Sequence, residues 1–200
     1  MRAILSVMCG MVLAGTALAG DLPVAPPSPM ATFSKPTTTV PFSQSVSFGG
    51  TKVDLESRTV IQMKTAIGVG VVDDMGSAGD HITWLCYDLP ETRARVWIWG
   101  GESGRFDSLT AEVLSDRAPK SSHCPALPAK FRPIAIDGWL WLGASREALI
   151  KHLGAPATET GGWLVFSREV SGSRDEDDRL VVRLENGRVA ALWASRETTY

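Results

Sequence analysis

The stretch "GWLWLGASREALIKHLGAP", residues 138–156, decides how the chain is read. Ser145 supplies a hydrogen-bond acceptor where a helix would begin, and Glu147 stands in the first turn. Gly154 follows the last helical residue, and Pro156 bars continuation. Ala148, Leu149 and Leu153 fall on one side of that helix and are its expected core face. Ahead of it, Trp139 and Trp141 alternate with leucines, as in extended chain. His152 in the last turn suits the negative end of the helix dipole. Starting, stopping and packing a short helix accounts for each of these residues, so the stretch is architecture rather than an active site.

Towards the C-terminus the pattern changes to strands. A loop holding Gly161 and Gly162 leads to "WLVFSREV" (163–170), and "RLVVRLENGRVAALWASR" (179–196) folds back at Asn186-Gly187. Asn-Gly between alternating apolar runs is a strong hairpin signal, because both residues accept the positive φ of a type I′ turn. The run "RDEDD" (174–178) lacks the alternating ligands and central glycine of a calcium loop and reads as a solvated connection.

The same order occurs earlier. "TVIQMKTAIG" (59–68) is a helix capped by Thr59, with Val60, Met63 and Ile67 on one face and Gly68 at its end. A glycine-rich loop (69–80) with Asp73 and Asp74 follows, then strands "HITWLCYDL" (81–89), "RVWIWGG" (95–101) and "SLTAEVLSD" (108–116). Aligning Gly68 with Gly154 places Ile67 on Leu153, Met63 on Leu149 and Thr59 on Ser145. The expectation is an α+β fold of two tandem helix-loop-β-β-β units, about 50–116 and 137–196. They would form one antiparallel sheet with the short helices packed on one face. Residues 48–200 are then one globular domain, with 117–138 as a proline-rich crossing segment.

The second unit resembles a known module. The Ser-Arg-Glu helix start at 145–147, Leu153-Gly154-x-Pro156, and the Asn-Gly hairpin followed by Val189 look like the unit shared by two groups. One is the β-lactamase inhibitory protein family; the other is the small lipoprotein of the bacterial outer-membrane barrel-assembly machinery. The match covers roughly 137–196, with a fainter copy over 50–116. Two copies in one chain look more like the inhibitor arrangement. The resemblance implies tandem α+β units and a non-catalytic role in which aromatic residues on a concave sheet face contact a protein. The loop at 69–80 carries no motif that maps an inhibitory loop. The chain also has one possible disulfide where the better-known inhibitor has two, and no lipidation cysteine.

Residues 1–19 read as a signal peptide: Arg2, an apolar stretch from Ala3 to Ala14, and an Ala17-Leu18-Ala19 cleavage site. Cys9 lies within that stretch and would leave with it, so no lipid anchor is expected, and no other segment is apolar enough for a membrane span. Residues 20–47 hold six prolines and read as an extended, largely disordered Pro/Ser/Thr-rich leader. Cys86 and Cys124 then remain as a pair in an exported chain, expected as one disulfide. Free thiols, or a metal pair completed by His123, are the other readings. Export places the protein in the periplasm or outside the cell. With a formal net charge of −2 and scattered basic residues, nucleic acid is not an expected partner.

No catalytic constellation, metal site or cofactor motif stands out; His81, His123 and His152 are isolated in sequence. The seven tryptophans carry the functional signal. Trp97 and Trp99 share one face of a strand whose other face, Val96 and Ile98, is also apolar. A strand apolar on both sides of a two-layer fold points to an exposed aromatic interface. The expected function is a non-catalytic, inhibitor-like protein-binding module. Its central contacts are Trp97 and Trp99, its peripheral ones Trp84, Trp163 and Trp193, and its partner an unidentified envelope or extracellular protein. The alternatives are an envelope structural or assembly factor acting through the proline-rich leader, or a hydrolase with an unrecognised site.

Overall fold

A computed structural model describes residues 22–27, 45–136, 138–139, 141–170 and 175–199. The expected signal peptide lies outside the described residues. In chain order the elements are β1 (Ser45–Phe48), β2 (Thr51–Asp54), α1 (Val60–Ile67), β3 (Asp73–Met75), β4 (Ile82–Leu89), β5 (Ala94–Gly100) and β6 (Ser108–Val113). They continue with β7 (Ile134–Ile136), α2 (Arg146–Leu153), β8 (Thr158–Thr160), β9 (Trp163–Val170), β10 (Asp175–Glu185) and β11 (Arg188–Thr199). The fold is α+β, mostly antiparallel sheet with two short helices.

Both helices begin and end where the sequence places them. Thr59 accepts from the Gln62 amide while the Gln62 side chain accepts from the Thr59 amide, a reciprocal capping box. Gly68 ends α1 at φ 88°, a left-handed conformation that side chains with a Cβ resist. Ser145 caps α2 by accepting from the Ala148 amide. Val60, Met63 and Ile67 are buried as expected, as are Leu149 and Leu153; Ala148 is exposed, one position outside the buried stripe.

The large sheet has the order β3-β4-β5-β6-β11-β10-β9-β8 and is antiparallel throughout. The strands after α1 run outward-to-centre in chain order, and those after α2 fill the other half in reverse order. β6 and β11 meet in the middle. In the large sheet each helix is followed by four strands rather than three, because the glycine loops each hold a short edge strand, β3 or β8. Asn186, at φ 51°, and Gly187, at φ 73°, turn β10 into β11 as the Asn-Gly signal requires. A second sheet, β2-β1-β7, was not anticipated. Its Val46, Phe48, Ile134 and Ile136 join both helices and one face of the large sheet in the main core. Trp141 is buried in that core and stacks on half-exposed Trp139, with His152 against both rings.

The sequence expectation of a solvated loop at 174–178 does not hold over 175–178, which begin β10. Asp178 is fully buried on the helix side, opposite Arg168 on β9 and Arg196 on β11. It accepts four hydrogen bonds, from Nε and a terminal nitrogen of each arginine, at 2.8–3.2 Å. Only the strand register brings these residues together, so the loop reading had no local signal against it. Asp178→Ala leaves two charged side chains facing a lost partner and is expected to cost about 3 kcal/mol. Urea unfolding of the oxidised protein measures this.

Burial pushes the Asp107 carboxyl up, against hydrogen bonds from Ser108 and the Gly101 amide, and nearby Glu56 adds to the rise. A carboxyl raised in the folded state binds protons that the unfolded chain has already released. Ionisation therefore penalises the fold, and stability is lost as pH climbs from the ordinary value of 3.8 through the folded value. Asp107→Asn can still accept from Gly101 and removes the penalty. Its urea midpoint is expected to equal or exceed that of the native chain at neutral pH and to converge with it below pH 3.8.

Candidate functional site

The site is built from β5. Arg95, Trp97 and Trp99 project to one side of the sheet, while Val96 and Ile98 enter the core on the other. Register carries the first face sideways. Trp84 stands opposite Trp99 and Cys86 opposite Trp97 on β4. On the other flank Trp97, Thr110 and Trp193 form one cross-strand row over β5, β6 and β11. Val181 and Val165 extend that row to β10 and β9, with Trp163 two residues along from Val165. All five tryptophans singled out from the sequence therefore lie on one face, opposite the helices.

That face is not bare, contrary to the expectation of exposed tryptophans. Trp84, Trp97 and Trp193 are only 2%, 3% and 5% exposed, and Trp99 and Trp163 are half-buried. Two segments cover them. The first is the crossing segment after β6. Cys124 stands at disulfide geometry with Cys86, S–S 2.02 Å, and packs with Trp84 and Trp97. Arg95, 2% exposed, fixes the same segment by donating to the Pro119 carbonyl at 2.9 Å, while its Nε donates to Asp88 on β4 at 2.7 Å. His123 meets Asp73 on the edge strand β3, with Nδ1 at 2.8 and 3.0 Å from the two carboxylate oxygens. His123 thus pairs with a carboxylate rather than completing a metal pair with the cysteines. Among the described residues no group of three or more His, Cys, Asp or Glu is placed to hold a metal ion.

The second cover is part of the leader. Residues 22–27, "LPVAPP", cross the face as a strap. The Ser121 hydroxyl donates to the Leu22 carbonyl at 3.3 Å, the Trp97 indole to the Val24 carbonyl at 2.9 Å, and the Trp193 indole to the Pro27 carbonyl at 2.5 Å. Val24 packs on the cluster formed by Trp84, Trp97 and the two cysteines. The leader expectation is corrected here: residues 22–27 are seated on the sheet, and Ser45–Ser47 belong to β1. Proline barred these residues from a ladder, but a strap that lies across a face needs none.

The remaining tryptophans are positioned differently. Trp99 spends its indole donor on the Thr110 hydroxyl at 2.9 Å, and the Trp163 ring lies 5.4 Å from that of Trp193. On this same face three buried donors, Trp84 Nε1, Arg179 Nε and Arg183 Nε, have no partner among the described residues. Beside the strap opens a cleft of about 880 Å³ whose walls include Val24, Pro27, Arg95, Glu112 and Arg183. Arg183 donates to Glu112 across the sheet at 2.7 Å.

No protein-family model, curated protein or solved structure matches the chain.

Replacing Trp97 or Trp193 by Phe keeps a ring but deletes a donor to the strap. Each change is expected to cost about 1 kcal/mol and to speed proteolytic cleavage within 22–27. Trp99→Phe loses a bond inside the sheet, so it should lower stability without speeding that cleavage. Limited proteolysis followed by mass spectrometry separates the two effects.

Proposed function

We propose that this chain is an exported, non-catalytic protein-binding module that works through the tryptophan face of its sheet, in the manner of an inhibitor. The observation that carries this reading is the cover on that face. Five tryptophans are gathered on the side away from the helices. What lies over Trp97 and Trp193 is a six-residue strap, none of whose residues is itself fully buried. Core layers bury what they are made of; a partly exposed segment on a buried aromatic seat is how a bound peptide lies. Tryptophan and arginine are the residue types that carry most binding energy at protein interfaces, and Arg95 and Arg183 border the same cleft.

The finer architecture belongs to the same proposal. The mirrored order of the two sheet halves, each preceded by a capped eight-residue helix, favours two related units joined at β6 and β11. Export is supported by the cysteine pair at disulfide geometry, since such bonds persist in oxidising compartments. No helix among the described residues is long and apolar enough to cross a membrane. The assembly-factor reading, which needs the leader free for other contacts, is disfavoured by the seating of residues 22–27 on the domain itself.

Affinity capture from an envelope extract of the source cell tests the reading. The bait is the oxidised chain, compared with a Trp97→Phe, Trp99→Ala variant whose near-UV circular dichroism is native-like. A protein held by the native chain and lost by the variant, then shown to bind when purified, is the expected result. Equal retention by both would remove the tryptophan face from the function.

A further inference from the structure

We propose that the tryptophan face is a receptor for proline-rich segments in the polyproline II conformation, and that residues 22–27 are its built-in, exchangeable occupant. The inference rests on the reading of this face as a binding surface and names the chemistry of the partner.

The geometry of the sheet comes first. Trp97 and Trp193 occupy the same cross-strand row, two strands apart with Thr110 between them. Neighbouring strands are spaced by about 4.8 Å, so the two residues stand roughly 9.6 Å apart. A polyproline II helix rises about 3.1 Å per residue and repeats every three, so carbonyls three residues apart face the same way at roughly 9.3 Å. The carbonyls that the two indoles engage belong to Val24 and Pro27, three residues apart. The sheet therefore acts as a ruler whose two-strand step matches one turn of such a helix. Thr110, fully buried and smaller than its flanking rings, floors the gap between them.

Donor accounting gives the second argument. This face presents N–H groups. Two indoles donate to the strap, and Trp84 Nε1, Arg179 Nε and Arg183 Nε are buried without a partner among the described residues. An ordinary extended peptide brings as many donors as acceptors, and its own N–H groups would then need partners on an aromatic surface. Proline keeps its carbonyl and has no N–H. Three of the six strap residues, Pro23, Pro26 and Pro27, are of that kind. A donor-rich aromatic face and an acceptor-rich, donor-poor peptide are complementary, and the proline rings also lower the entropy cost of ordering the ligand.

The strap's own burial argues for exchange. Leu22 is 75% exposed, and no residue of the strap is counted in the buried core. It joins no ladder, and three side chain-to-carbonyl bonds tie it to the described residues. Its departure would therefore break few interactions, and a free segment of the same chemistry could take the seat.

The test is a titration of the oxidised full chain with fluorescein-labelled hexapeptide LPVAPP, read by anisotropy. The comparison is a chain carrying Val24→Asp and Pro27→Gly, which weakens the strap and leaves the seat intact. The altered chain is expected to bind the peptide at least about tenfold more tightly than the native one, as a seat about nine-tenths occupied in cis requires. A control peptide with alanine at all three prolines should be held much more weakly by both. Equal binding by native and altered chains, no binding by the folded altered chain, or equal binding of the control peptide would overturn the proposal. Should the altered chain fail to fold, the native chain decides. Excess LPVAPP must then speed cleavage within 22–27, and unchanged cleavage sinks the idea. A face that takes the peptide but captures no envelope protein would refute the broader binding role alone. Capture that persists in the presence of saturating LPVAPP would refute this inference alone.

Discussion

The structure turns on β5 being apolar on both sides. Val96 and Ile98 face one way and Trp97 and Trp99 the other, so a single layer of helices cannot satisfy the sheet. A tryptophan side chain presents about 200 Å² of largely apolar surface, on the order of 5 kcal/mol for complete burial. Several such rings left bare on a flat sheet would form the kind of patch through which proteins associate. That requirement accounts for the two segments that lie over the tryptophans. The crossing segment is held over β4 and β5 by Cys124, by the Arg95 bond to Pro119 and by the His123–Asp73 pair. The strap shares Trp97 with the crossing segment and extends the cover to Trp193.

The two covers differ in kind. The helix layer and the small sheet are tied in by capped helices, a ladder and the buried residues of the main core, and removing any of them would open it. The crossing segment is fixed by side-chain hydrogen bonds and the cysteine pair. The strap is held through three of its carbonyls, each accepting from a side-chain donor. This gradation, from core to pinned segment to strap, sets an order of release. On the proposed reading, release of the strap would expose the tryptophan seat and leave the sheet that holds it in place.

Local signals in the sequence recovered local structure. Thr59, Gly68, Ser145 and Gly154 mark helix ends because a cap is decided by a few neighbouring residues. Asn186-Gly187 marks its turn for the same reason. The period-two pattern put Trp97 and Trp99 on one face of β5, and strand register adds Trp84, Trp163 and Trp193 to it. The pattern could not place Asp178 between Arg168 and Arg196, because that triad exists only once three strands have found their register. The Asp73–His123 pair spans 50 residues and had no local signature either. The sheet β2-β1-β7 was missed because its strands are three or four residues long, too short for alternation to speak.

The seating of the strap has no signature in its own residues for a different reason. Prolines argue against regular structure, since they break helices and ladders. That inference treats backbone pairing as the only way for a chain to be held. A segment half of whose residues lack N–H groups has more carbonyls than amides to satisfy, and a surface of indoles satisfies carbonyls well. The sequence did contain both halves of this match: a donor-poor stretch at 22–27, and a sheet with more aromatic donors on one face than its own strands can use. Counting donors against acceptors across distant segments, rather than asking each segment for its own secondary structure, is the reading that would have joined them.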